Sequence, residues 1–368
     1  IAWTAAALMT VGLLAKTALF PLHIWLPPAH AGAPAAGSAI LSALVIKGSW
    51  FLVVRLWFDV MPSVVTFSAA QLLAALGAMA IVVGSVVALR QERLKLLVAY
   101  STVAQIGYLF LMFPLGFDVS GTTLIHGAAL DAGVLQAVSH ATAKAGMFMA
   151  AGLIYTSLGH DRIADLAGVA RAMPITVLAF AVAGLALMGV VPSGAYLAKK
   201  LLLDAAGESG QWWWTMVLQG GAAFTAGYMV LVLTNVFRRS SAEVVLFKRP
   251  SKLSESAALT LAVCSLLLAL AALGPVPANL ITNPLAPKEL LSTLAVVFGG
   301  GLLALGISRR SLLVETADGA GFARRFMVAA GVAFERLAEF ARRWTSASVL
   351  LLALAGLFAW LMIQGAVR

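Results

Sequence analysis

The sequence predicts an all-α polytopic membrane protein, and three observations carry that class. Of 368 residues, 61% are hydrophobic and 11% charged, with a mean hydropathy of +0.97, a balance that leaves too little polar surface for a domain in water. Apolar runs of about 20 residues, the length that crosses a bilayer as a helix, recur along nearly the whole chain. None alternates with the period of two that a membrane barrel strand requires.

About ten spans are expected, near 2–20, 34–58, 67–89, 95–115, 131–158, 173–206, 211–237, 256–273, 289–307 and 346–364. The chain opens on Ile1 inside an apolar stretch, without the charged start of a signal peptide, and is expected to be a fragment lacking its N-terminus. Threading the spans alternately gathers the loops at 90–95, 159–172, 238–252 and 308–345 on one side. Seventeen of the 25 basic residues fall there, Arg93 and Lys95 among them, against three on the other side (Arg55, Lys288 and Arg368). By the positive-inside rule the basic side is cytoplasmic, the first span runs inward and the C-terminus ends outside. A bacterial inner (cytoplasmic) membrane is the expected location. This topology accounts for the net charge of +10, so no nucleic-acid partner is expected.

Five lysines remain, Lys16, Lys47, Lys144, Lys199 and Lys200, all inside predicted spans. Ionisable residues inside a membrane are expensive and mark ion or proton pathways more often than snorkelling contacts. The first span carries Lys16 and is interrupted at Pro21, which removes a backbone donor and leaves carbonyls in need of a protein or water partner. The second span holds Lys47. Asp59 can pair with Arg55 at a membrane edge, and Asp131 and Asp204 sit near span ends, so no acid stands beside the lysines at mid-depth.

The span 131–158 stacks Gln136, His140 and Lys144 at intervals of four, on one helix face. A polar stripe on an apolar helix faces protein or water, and this one has the chemistry of a proton relay, with helix-packing hydrogen bonds as the plainer alternative. The span 173–206 has a second interruption, VVPSGAY, followed by Lys199 and Lys200. Two broken helices, each near a lysine, suggest related half-units, as in transporters built from inverted repeats. Spans after 211 look structural. Near 320–344 apolar and charged residues separate onto two sides of a helix, an amphipathic element expected along the cytoplasmic headgroups or against a partner subunit.

Other chemistries find little support. The sequence has no Cys/His cluster, phosphate loop or dinucleotide glycine fingerprint, and Cys264 is alone. No cofactor is expected on this chain, and any redox chemistry belongs to partners. Ser139 beside His140 does not make a hydrolase, since neighbours in a helix point about 100° apart. His23 and His30 flank the first break and could bind metal, although packing or hydrating the break fits them better.

The stretches AKTALFPLHIWLP, SAILSALVIKG, LKLLVAYSTVAQIGYL, HATAKAGMFMAAG and MPITVLAFAVAGLALMGVVPSGAYLAKKLLL resemble, in order, the proton-conducting antiporter-like subunits shared by respiratory complex I, Mrp-type cation/proton antiporters and membrane-bound hydrogenases. The resemblance covers about residues 1–235. It implies two inverted five-helix repeats, each with a broken helix, joined by a row of buried lysines and waters. Lys16 resembles the lysine of the first broken helix, Lys47 that of the next helix, Lys144 the central lysine and Lys199 that of the second broken helix. It also implies that the helix whose glutamate pairs with the lysine resembling Lys16 lies before Ile1. Gln136 and Leu41 stand where members carry histidines, which shifts the burden of conduction to water. Pro28 replaces an acid common after the WLP, and Lys200 is an additional amine.

The expectation is a subunit of a redox-driven or antiporter complex that moves protons, with or without exchange for sodium, along Lys16, Lys47, His140, Lys144 and Lys199, with His23, Gln136 and Lys200 as secondary candidates. Residues 1–237 would form the conducting core and 238–368 additional helices. The rivals are a non-conducting structural subunit of such a complex and an autonomous carrier of a small solute.

Overall fold

A computed structural model describes residues 1–118, 120–240, 243–271, 287–313 and 344–367. The chain is helical as expected. Helix α1 (Ala2–Thr17) gives way to a 3-10 turn, Leu22–Trp25, and α2 (Leu26–Gly32). Next come α3 (Ala35–Ile40) and α4 (Ile46–Arg55), each continued by a π-helical turn, Leu41–Val45 and Leu56–Val60. The longer helices α5 (Phe67–Leu89), α6 (Leu94–Leu115) and α7 (Ala128–Leu158) follow, then the short α8 (Val169–Ala172), the pair α9 (Pro174–Met188) and α10 (Gly194–Glu208), and α11 (Trp212–Phe237), α12 (Lys252–Ala271), α13 (Pro287–Leu313) and α14 (Trp344–Val367). Among the described residues, seven helical stretches are long and apolar enough to cross a membrane, and α9 and Thr293–Gly306 are shorter apolar helices. The long α7 is absent from both sets, because its centre carries Gln136, Ser139, His140, Thr142 and Lys144. The expected amphipathic helix near 320–344 lies outside the described residues.

Both interruptions fall where proline predicts them. Helix α1 ends at Ala18 in the left-handed conformation (φ 59°), and α9 ends at Gly189 likewise (φ 76°). In each case the proline, Pro21 or Pro192, follows three residues later. Side-chain donors add to carbonyls in the last turns of α1. Trp25 Nε1 donates to Ala15 O at 3.0 Å, and Thr17 Oγ1 donates to Leu13 O at 2.7 Å. At the second break Ser193 caps α10, accepting from Tyr196 N at 3.1 Å.

Helix α6 lies at the centre, with 89% of its apolar stretch buried. It can sit there because its neighbour α5 meets it through glycine: a Cβ on Gly107 would fall 2.2 Å from Gly77 O, and one on Gly84 would fall 2.6 Å from Ala104 N. In a bilayer such backbone approach supplies the dispersion contact that hydrophobicity cannot.

The apolar core divides into two clusters, and α6 passes through both, contributing Leu94 to Ala99 to one and Val103 to Leu115 to the other. Helix α7 changes cluster between Ala137 and Ala143, α11 between Leu218 and Ala226, and α12 between Ala262 and Ala269. The residues at those changes are polar and buried: Ser101 and Thr102, Ser139 and His140, Thr225, and Ser265. A polar layer therefore crosses the bundle between two apolar halves.

Candidate functional site

Sequence periodicity placed Gln136, His140 and Lys144 on one face of α7, and all three are buried there, the last two completely. The Lys144 ammonium, an amine in a helix that otherwise packs Ala, Gly, Met and Phe, reaches across to α6. It donates to Ser101 Oγ at 2.5 Å and to Val98 O at 3.2 Å. Lys47 on α4 is also buried and donates back to Ser42 O in the preceding π-helical turn. Ser42 Oγ and Thr102 Oγ1 lie 3.3 Å apart. Adjacent hydroxyls of α6, Ser101 and Thr102, thus stand toward the two lysines.

His140 is fully buried and lies within electrostatic reach of both Lys47 and Lys144. Among the described residues its ring nitrogens have no hydrogen-bond partner, and a buried imidazole left unpaired is costly. Among the described residues the buried carboxylates are Asp161 and Glu255, at the N-terminal end of α6 and in the first turn of α12. The amines in the polar layer have no acid among them. Glu255, just before the predicted span 256–273, is buried and accepts from Thr176 Oγ1 at 2.6 Å.

The remaining candidates separate. Lys199 on α10 is half-buried and lines a small cavity of about 20 Å³ together with Gln105, Tyr108, Gln136 and Gly189, so it faces the second break. Lys200, the next residue, does not line it. Lys16 is exposed on the outer side of α1, not gathered with the other amines. His23 is buried in the 3-10 turn and stacks on Phe20 at 5.5 Å. Among the described residues no group of three His, Cys, Asp or Glu could hold a metal.

Two residues were placed otherwise by sequence. Lys95 reads as a loop charge, beside Arg90 and Arg93 at a span edge. It is 6% exposed and donates to Ala33 O, at the end of α2, over 2.7 Å. Asp161, from the loop after α7, fixes it by accepting from Lys95 N at 3.1 Å and from Arg93 Nε at 2.9 Å, an acid at the positive end of α6. His30, read as a packing residue, does stack on Phe148 at 4.4 Å, yet Lys47, Lys95 and Lys144 all lie within its electrostatic reach. Nothing in the spacing of His30 signals this. For Ser101 and Thr102 the signal was two hydroxyls in the apolar run of α6.

The groups in this arrangement are proton donors and acceptors. Each lysine can donate and recover one, hydroxyls can accept one bond while donating another, and the imidazole can do both.

The family model described as NADH:quinone oxidoreductase/Mrp antiporter, transmembrane, matches residues 2–225. NADH-quinone oxidoreductase subunit N of Desulforudis audaxviator (strain MP104C) is 34% identical over 234 residues, covering 63% of this chain and 45% of that protein. A chain of the Mrp complex from Dietzia sp. DQ12-45-1b superposes with a TM-score of 0.63 at 23% identity, covering 82% of this chain and 59% of that one. A chain of the membrane-bound sulfane sulfur reductase, an archaeal respiratory membrane complex, superposes with a TM-score of 0.62 at 25% identity, covering 80% and 57%. The chain spans about half the length of each of these proteins.

Proposed function

Because the chain belongs to the NADH:quinone oxidoreductase/Mrp antiporter transmembrane family, we propose that it is part of an antiporter-like subunit that moves protons through its polar layer within a multisubunit membrane complex. The observation that carries the reading is the buried group Lys47, His140 and Lys144, set between two apolar clusters with no buried carboxylate beside it among the described residues. A structural role does not require this composition. Serine and threonine alone hold helices together in a bilayer without the cost of burying amines.

In this reading a proton passes between Lys47 and Lys144 by way of His140, water, and the α6 hydroxyls of Ser101 and Thr102, and continues toward Lys199 at the second break. Lys95 and His30 extend the group toward the N-terminal end of α6, the side that the basic loops assign to the cytoplasm. Lys16, facing outward from α1, receives its partner from outside the described bundle. A redox reaction or cation exchange in partner subunits drives the cycle, and this chain supplies the path.

The test is Lys47→Met in the full-length subunit, in inverted membrane vesicles energised by respiration. Dye-reported acidification is read beside the amount of assembled subunit. Loss of most of the acidification at normal assembly supports the reading. Parent-level acidification at normal assembly removes Lys47 from any pathway.

A further inference from the structure

A cavity of about 990 Å³, apart from the polar layer, opens where α9 and α12 begin. That volume is at the upper end of the roughly 300–1,000 Å³ typical of small-molecule sites. Pro174 opens α9 and Lys252 opens α12, both apolar helices, so the cavity lies at headgroup level, at the end of the bundle that the basic loops assign to the cytoplasm. One wall is the segment 243–250. It is tied in place on two sides: Gly168 N donates to Arg238 O at 2.9 Å, and Phe247 N donates to Ser157 O at 2.8 Å.

The lining carries charges of both signs that do not neutralise one another. Arg171, Arg249 and Lys252 line the cavity with Glu243 and Glu255, and among the described residues no ion pair joins any of these cations to either carboxylate. Glu255 is 8% exposed, and among the described residues its carboxylate accepts from Thr176 Oγ1 alone, where a carboxylate has about four acceptor positions. A buried carboxylate without a cation is costly. A simple anion would satisfy the three cations and leave Glu255 unpaired. A head that carries both a phosphodiester and a primary ammonium satisfies all of them, because guanidinium groups pair with phosphate and an ammonium brings three donors to a carboxylate. From the cavity α9 then runs into the bilayer with an apolar ridge outward. Ile175, which lines the cavity, and Leu178, on the same helix face, are 41% and 50% exposed. Charges of both signs followed by an exposed apolar ridge match the profile of a phospholipid.

We infer that this cavity binds the head of an ethanolamine-class phospholipid, with its phosphate on Arg171, Arg249 and Lys252, its ammonium on Glu255 and Glu243, and its acyl chains along Ile175 and Leu178. The site uses none of the residues of the proton path, so it stands or falls separately from the reading above.

The test is lipid retention by the purified, assembled complex. It is exchanged into detergent and supplied with phosphatidylethanolamine, phosphatidylcholine or phosphatidylglycerol of matched chains. Bound lipid is counted by native mass spectrometry, and lipids held elsewhere cancel between parent and variant. The parent is expected to hold phosphatidylethanolamine at least about tenfold more tightly than phosphatidylcholine, whose nitrogen has no N–H, or phosphatidylglycerol, which brings no cation to Glu255. Glu255→Gln keeps an acceptor for Thr176 and removes the charge, and is expected to weaken phosphatidylethanolamine about tenfold and erase its preference. Arg249→Ala, at an exposed position, is expected to weaken all three lipids. Lys248→Ala, adjacent but outside the lining, is expected to retain lipid as the parent does. A preference for phosphatidylglycerol that is lost in Arg249→Ala, or displacement of the lipid by inorganic phosphate, would make this a plain anion site and overturn the assignment. Equal retention by the parent, Glu255→Gln and Arg249→Ala would remove lipid from the cavity altogether. Should Glu255→Gln not assemble, the lipid preference of the parent and its loss in Arg249→Ala decide the matter.

Discussion

Replacing Lys144 by methionine should separate stability from activity. The side chain is fully buried, and its ammonium makes two hydrogen bonds, to Ser101 Oγ and Val98 O. Losing them costs roughly 1–3 kcal/mol each when the donor is charged. Neither acceptor is orphaned, because Ser101 Oγ and Thr102 Oγ1 both still donate to Val98 O at 2.9 Å. Against that loss, holding an ammonium out of water carries an effective penalty of several kcal/mol per ion, and methionine fills nearly the same stem volume without it. A loss of roughly 2–6 kcal/mol against a gain of several leaves the variant's stability close to the parent's. Scanning fluorimetry of the purified complex should therefore show a melting midpoint close to the parent's. Vesicle acidification should fall at least about tenfold. A lower midpoint with undiminished acidification would refute the reasoning, since Lys144 would then be a structural tie between α7 and α6.

Three further outcomes follow from particular contacts. Gln136→His should be tolerated and keep or raise proton flux, because an imidazole one turn from His140 can both orient water and take up a proton; abolished acidification at normal assembly would make this face a packing surface. Asp161→Ala should lower the melting midpoint more than Asp161→Asn, by about 1–3 kcal/mol for the lost acceptor at the α6 terminus, because asparagine still accepts from Lys95 N; equal midpoints would remove Asp161 from the positioning of Lys95. In the exposed turn after α6, Asp118 accepts from Thr122 N at 2.8 Å and Thr123 N at 3.0 Å, and the Ser120 hydroxyl first, then these amides, hold its carboxyl down to about 2 from 3.8. A depressed carboxyl stabilises the turn fully above the unfolded value and loses that contribution as pH falls through about 2, so the protection of amides in 120–123 relative to their intrinsic exchange rates should fall over that window and should stay constant there in Asp118→Asn.

Fold class was legible because lipid leaves one choice: α5 spans Phe67–Leu89 and α11 Trp212–Phe237, within a residue of the apolar runs that foretold them. Both breaks were legible from proline, and the α7 stripe from its spacing of four. What pairs across the bundle was not. Lys95 sits at a span edge among arginines, and Ala33, Asp161 and the Tyr155 ring, all distant in the chain, hold it inside. Ser101, Thr102 and Gln105 carry no charge to stand out from an apolar helix. They stand on α6, which meets Lys144 of α7 through Ser101 and the π-helical turn before α4 through Thr102. Lys16 and Lys199 looked equivalent in sequence, each beside a break, yet one faces outward and the other lines a cavity.

The central claim is that the buried lysines change protonation as the complex works, and infrared difference spectroscopy on complex carrying 15Nζ-labelled lysine measures this directly. The account predicts turnover-dependent bands that shift with the isotope and are lost in both Lys47→Met and Lys144→Met. Isotope-sensitive lysine bands that are absent on turnover, or that persist unchanged in both variants, would contradict it.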